Sequence, residues 1–235
     1  MSVKIHAINL GFDQCYLIGD KDWIMIDAGQ WNKKKQFLKK LADFGIKPEQ
    51  IKLVILTHGH WDHIGSAKDI KEITGAKIAM HENEKEWLEK SMIILPPGVT
   101  LWGKIFSNIM SLFKPLIKIP STKVDIVLDN KSVFLNEYGI AGFIEYTPGH
   151  SLGSVSVMLK TGEAFVGDLL MNKLPLRMSP GLPIFAEDLS KVKQSLVLLL
   201  EKGVKKIYPA HGKSFNADII HKELKKLDKY TFLPS

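Results

Sequence analysis

Apolar residues alternate with polar ones, and β-branched residues are frequent, over about 3–9, 14–19 and 22–27, which predicts three strands, the last running into Asp27-Ala28-Gly29. The chain opens as a meander. From 31 to 44 the spacing changes to three and four, which predicts a lysine-rich helix ending near Gly45, and Pro48 then precedes a strand from Ile51 to Leu56. A βαβ-like passage follows, with a helix at 65–74 stopped by Gly75 and a strand at 76–80. Residues 82–118 break the rhythm: helical segments are interrupted by Pro96-Pro97-Gly98 and by Pro115, as in an insertion. Strands return near 124–128, 132–135, 142–147, 154–159 and 164–167, before a helix at 187–202, a strand at 204–208 and a last helix at 216–229. This is a mixed α/β pattern whose second half echoes the first.

Within the insertion, Trp102, Ile105, Phe106, Ile109, Met110, Phe113 and Ile117 recur every three or four residues, with Lys104, Ser107, Asn108, Ser111 and Lys114 between them. That spacing predicts an amphipathic helix over 101–117 that packs on the body or on a dimer partner, lines an apolar pocket as a lid, or touches a membrane surface. It is too short and too charged to span a bilayer, and no transmembrane segment is expected.

Composition adds limits rather than a function. At 235 residues, 45% hydrophobic and 24% charged, the chain has the makings of one soluble domain covering 1–235. A net charge of +7 raises the question of nucleic acid, but the lysines are scattered and no aromatics interleave with them, so a solvated surface is expected instead. The N-terminus lacks the features of a secretory signal, and the single cysteine, Cys15, rules out an intrachain disulfide; both point to the cytoplasm. Cys15 falls in a predicted strand, where a buried apolar role is expected.

The chemistry concentrates in Thr57-His58-Gly59-His60-Trp61-Asp62-His63. If the chain stays extended as it leaves its strand, His58 and His60 project to one side and can share a metal ion. Asp62 and His63 fall where the next helix begins and turn toward a neighbouring position. Gly59 is expected to allow a bend between bulky ligands, and Thr57 to offer a supporting hydroxyl. Imidazole and carboxylate suit zinc and also accept iron or manganese. Three later residues, His150, Asp168 and His211, each end a predicted strand, the place where ligands gather in open α/β sheets. His6, His81 and His221 are expected to be structural.

With these residues in view, the chain resembles the metallo-β-lactamase superfamily, in its glyoxalase II-like branch. The likeness rests on Asp27-Ala28-Gly29, His58-x-His60-x-Asp62-His63, Thr147-Pro148-Gly149-His150-Ser151, Gly167-Asp168 and Pro209-Ala210-His211-Gly212. The resemblance implies an α/β (α+β) fold, a four-layer αβ/βα sandwich with a binuclear metal centre at one edge. It puts His58, His60 and His150 on one metal, Asp62, His63 and His211 on the other, Asp168 between them and Asp27 behind a ligand. It implies two zinc ions. Asp168 argues against antibiotic hydrolysis, because true zinc β-lactamases lack the bridging aspartate. Only 24 residues follow His211, too few for the glutathione-binding extension of genuine glyoxalase II.

The expected activity is hydrolysis of an ester, thioester, lactone or related bond by a metal-bridging hydroxide, with Asp62 orienting it or moving a proton. Leu174, Leu176, Met178, Leu182, Ile184 and Phe185 are expected to line a pocket for the apolar or acyl portion of a small-molecule substrate, with Lys173 or Arg177 meeting an anionic group. A homodimer is compatible with this reading. The alternatives are an iron-dependent, persulfide dioxygenase-like redox enzyme and a phosphodiesterase or ribonuclease of the same superfamily.

Overall fold

Burial along the strands follows a period of two, and it sorts their side chains into separate cores. In the first sheet, Tyr16, Ile18, Ile24, Ile26, Leu53 and Ile55 face one way, while Cys15, Leu17, Trp23, Met25 and Val54 face the other. The computed structural model describes residues 3–172 and 175–230. Its first sheet holds six strands in sequential order: β1 (Lys4–Asn9), β2 (Gln14–Gly19), β3 (Trp23–Ile26), β4 (Ile51–Ile55), β5 (Lys77–His81) and β6 (Ile126–Leu128). The first three strands form an antiparallel meander, and β3 to β6 pair in parallel.

A second six-stranded sheet runs in the order β12 (Phe215–Asn216), β11 (Lys206–Tyr208), β10 (Glu163–Phe165), β9 (Val155–Leu159), β8 (Gly142–Tyr146), β7 (Val133–Phe134). The two sheets face each other across a core where Ile144, Val155, Val157, Leu159 and Phe165 meet the inner side chains of the first sheet. Helices cover both outer faces. On the first sheet, α1 (Lys34–Phe44) contributes Phe37 and Leu41, and α3 (Ala67–Thr74) contributes Ala67 and Ile70. On the second, α6 (Leu189–Glu201) and α7 (Ile219–Tyr230) pack Val192, Leu196, Leu199, Ile220 and Leu227 over Met158 and Ala164. The result is the expected αβ/βα sandwich.

Local chemistry fixes the helix ends. Asp188 caps α6 by accepting from Ser190 N and Lys191 N at 2.8 and 3.0 Å, and α1 closes on Gly45 at φ 67°.

Three elements differ from expectation. The predicted helix at 65–74 is α3, and a separate short helix, α2 (Trp61–Ile64), precedes it; between them the Ser66 hydroxyl donates to the Gln30 carbonyl and holds the chain against the Asp27 turn. The last helix starts at Ile219, not 216, because Phe215 and Asn216 pair with β11 as an edge strand too short to show alternation. The insertion forms α4 (Lys85–Glu89) and α5 (Leu101–Phe113), and Gly103 is the buried residue of α5; its apolar side chains divide between a cleft and solvent.

Candidate metal centre

All seven sequence-predicted residues lie at one edge of the sandwich, past the carboxyl ends of their strands. His58 and His60 follow β4, and His60 caps α2, whose first turn carries Asp62 and His63. His150 lies in the β8–β9 connection, Asp168 follows β10, and His211 follows β11. With His60 extended at φ −71° and ψ 149°, the rings of His58 and His60 come within 4.7 Å of each other, and each is within 4.9 Å of His150.

Three overlapping groups bring their ligand atoms within 4.8 Å of one another: His58, His60 and His150; His58, His63 and Asp168; Asp62, His63 and His211. Asp168 stands between the outer two. Its Oδ2 is 3.7 Å from His150 Nε2 and 3.3 Å from His211 Nε2, and its Oδ1 is 3.5 Å from His63 Nε2. Asp62 reaches His211 Nε2 at 3.5 Å and is the most exposed of the set.

The outer ring nitrogens show why these imidazoles point inward. His63 Nδ1–H donates to Asp27 Oδ2 at 3.0 Å, His150 Nδ1–H to the Phe185 carbonyl at 2.9 Å, and His58 Nδ1 lies 3.1 Å from Thr57 Oγ1. Once Nδ1 carries the proton, the Nε2 lone pair faces the centre. His60 is reversed, with Nδ1 3.0 Å from His150 Nε2. Among the described residues, His58 Nε2, His63 Nε2 and Asp168 Oδ1 are buried without a hydrogen-bond partner. Orphaned, convergent lone pairs of this kind are what a cation satisfies, and the N- and O-donor set fits a divalent ion such as zinc.

Charge divides the centre. Burial, then neighbouring histidines, holds His58 well below the ordinary histidine range; burial takes His60 down to about 3 and lowers His150. At His63 and His211 burial also opposes the charge, but the carboxylates Asp27, Asp168 and Asp62 outweigh it. They raise His63 well above its usual value and His211 to about 10.

These shifts fix the sign of a pH dependence in chelator-treated protein. Below about pH 6.5 the unfolded chain takes up protons that folded His58, His60 and His150 refuse, so stability falls as pH drops. Asp13, which burial raises to about 7, offsets part of that loss. The stabilisation from His63 and His211 is complete below about pH 6.5 and is lost as pH rises through their folded values. The melting temperature is therefore expected to peak near neutrality. A steady rise between pH 7 and 5 contradicts this.

Several supporting groups carried no signal in the sequence. Glu84, 1% exposed, accepts Gly59 N–H and, at 2.6 Å, Gly153 N–H, so one carboxylate ties the His58–His60 loop to the His150 loop. Gly59 is needed for space rather than for a bend, since a Cβ there would lie 2.5 Å from the Trp87 ring. The carbonyls of Phe12 and Phe185 hold His211 and His150. The remaining histidines belong to none of the three groups. His6 stacks on Phe44, His81 stacks on Tyr146 and bonds Asn130, and His221 is exposed on α7. Cys15 is fully buried.

The centre opens into a cleft whose other walls include Phe12, Trp61, Leu95, Phe106, Met110 and Phe185. Of the predicted loop residues, Leu176 and Phe185 line it, Leu182 and Ile184 are buried in cores, and Met178 is 92% exposed. Arg177 donates to the carbonyls of Ser179 and Leu182 and is outside the lining, which corrects its assignment to an anionic group. Lys173 and Leu174 lie outside the described residues.

Comparison with known proteins agrees with this geometry. The family model described as the metallo-beta-lactamase superfamily matches residues 8–211. The chain belongs to that superfamily. Among curated relatives, it is 29% identical over 160 residues to the probable metallo-hydrolase YqgX of Bacillus subtilis, covering 66% of this chain and 64% of that protein. It is 23% identical to YflN, another probable metallo-hydrolase of Bacillus subtilis, over 92% of this chain and 88% of YflN. Of solved structures, the B3 metallo-beta-lactamase BLEG-1 superposes with a TM-score of 0.72 at 20% identity, over 95% of this chain and 99% of that one. An archaeal superfamily protein from Sulfolobus tokodaii superposes at 0.66 and 23% identity, over 96% and 86%. Likeness at these identities shows the shared fold. Among the described residues, no helix is long and apolar enough to cross a membrane.

Proposed function

We propose that the chain acts as one domain and is a dinuclear, metal-dependent hydrolase of an ester, thioester or lactone with an apolar portion. One observation carries this reading: a ring of buried histidine and aspartate side chains, with lone pairs turned inward, opens into a cleft walled by aromatic and aliphatic side chains. His58, His60 and His150 would hold one ion, Asp62, His63 and His211 the other, and Asp168 would serve both. Zinc suits this donor set best. Divalent ions held there supply an acidified water and a Lewis acid for the scissile carbonyl.

The chain's own residues do the rest. Phe106, Met110 and Phe185 bind the acyl portion and exclude water from it. Asp62, partly exposed at the floor of the cleft, is placed to take a proton and return it to the leaving group. Burial opposes its charge, but His63 and then His211 hold its carboxyl below the usual range, so it is ionised at neutral pH and competent as a base.

Acyl esters and thioesters of graded length test the assignment. Phe106→Ala is expected to raise KM for an octanoyl ester about tenfold while changing KM for the acetyl ester little, because the lost contact is with the distal chain. Equal effects on both esters, or a wild-type preference for small polar substrates, contradict the acyl assignment.

A further inference from the structure

The apolar arc of α5 does not end at the cleft. Phe106 and Met110 line the cleft, and at 3.6 residues per turn the same arc continues around the helix through Trp102, Ile105, Ile109 and Leu112. Those side chains are exposed. Leu101, Leu112 and Leu116 are 78%, 76% and 72% accessible, and Phe113 is half exposed. Isolated exposed leucines need no explanation, but a run of large apolar side chains along one helix at the mouth of a cleft marks a contact surface. The helix is held in place at its start. Gly103 packs against the Ile184 carbonyl so closely that a Cβ would lie 2.2 Å from it, and Trp102 Nε1–H donates to the Pro175 carbonyl at 2.9 Å.

Charge identifies what covers this surface. From Ser91 to Val124 the chain has no aspartate or glutamate, while Lys104, Lys114, Lys118 and Lys123 are all exposed. A second copy docked face to face would set these lysines against themselves, with no carboxylate of the segment to pair with them. An apolar arc flanked by lysines without acids instead complements an anionic lipid surface: the apolar side chains enter the acyl boundary and the ammonium groups reach the phosphates.

We propose that α5 docks this protein on an anionic bilayer and turns the cleft mouth toward the lipid, so that an amphiphile can pass from the membrane along the apolar arc. The docking itself does not depend on the hydrolase reading. The full chain should co-sediment with vesicles containing about one-third phosphatidylglycerol, and much less with phosphatidylcholine alone or when salt is raised to about 0.5 M. Replacing Leu112 and Leu116, which lie outside the cleft lining, by Glu should cut vesicle partition about tenfold or more while leaving turnover of a water-soluble short-chain ester unchanged. Equal partition of the double variant and wild type overturns the proposal, as does failure of the wild type to bind the anionic vesicles. So does a dimer in sedimentation equilibrium that the same substitutions dissociate, since a second copy would then be the occupant.

Discussion

Asp168→Ala is expected to lower hydrolysis by about three orders of magnitude and to strip metal from both halves of the centre together. The reason is positional. Its two oxygens stand 3.3 Å from His211, 3.5 Å from His63 and 3.7 Å from His150, so this one carboxylate addresses histidines of both outer groups. The same carboxylate also compensates a charge. Burial opposes its ionisation, yet His211 and His63 keep its carboxyl well below the normal range, and without it two buried imidazoles lose a counter-charge. Steady-state kinetics and metal content per chain check the prediction, with His81→Ala as the control. His81 stacks on Tyr146, bonds Asn130 and belongs to none of the three groups, so its loss should change turnover little. Comparable losses in the two variants contradict the assignment.

Asp27→Ala is expected to destabilise the chelator-treated protein by about 3–5 kcal/mol, a large share of the stability of a chain this size. The Asp27 carboxylate accepts Thr57 N–H at 2.8 Å, Thr57 Oγ1–H at 2.9 Å and His63 Nδ1–H at 3.0 Å, all buried. Removing it leaves those donors unmet, and alanine would also have to hold the positive φ of 60° found here. Asp27→Asn keeps one acceptor oxygen and should lose less. Because His63 would no longer be held in the tautomer that presents Nε2, metal affinity in the alanine variant should fall about 10- to 100-fold. Urea unfolding and competition with a chromophoric chelator measure the two effects. A stability loss below about 1 kcal/mol would show that Thr57 and His63 find other partners.

The parts of this molecule legible in the sequence are those that depend on short range. His58, His60, Asp62 and His63 sit within one strand exit and one helical turn, so period two and the helix start were enough to group them. His150, Asp168 and His211 could be read because each closes an apolar run, even though 60 residues lie between His150 and His211. Strands β1 to β11 follow from alternation of period two, the covering helices from spacings of three and four, and the burial of Cys15 from its place in β2.

What escaped depends on contacts between distant segments. Nothing near Glu84 announces that its carboxylate will brace two ligand loops, and the Phe12 and Phe185 carbonyls that hold histidines are backbone atoms that leave no compositional trace. At Gly59 the constraint on space comes from Trp87 in another helix, which local sequence does not show. For α5 the spacing gave the helix and its apolar stripe, but periodicity cannot say which part of a stripe meets a body and which meets solvent. Arg177 was misplaced for a related reason: whether a guanidinium faces a substrate or its own loop carbonyls is settled by the loop's path.

Whether these seven side chains hold catalytic divalent ions is decided by elemental analysis of the purified protein joined to an ester, thioester, lactone and phosphodiester panel. About two divalent ions per chain are expected, with loss of hydrolysis on chelation and recovery when zinc is returned. Negligible metal with chelator-resistant turnover, or a single iron per chain with oxygen consumption and no hydrolysis, would contradict that expectation.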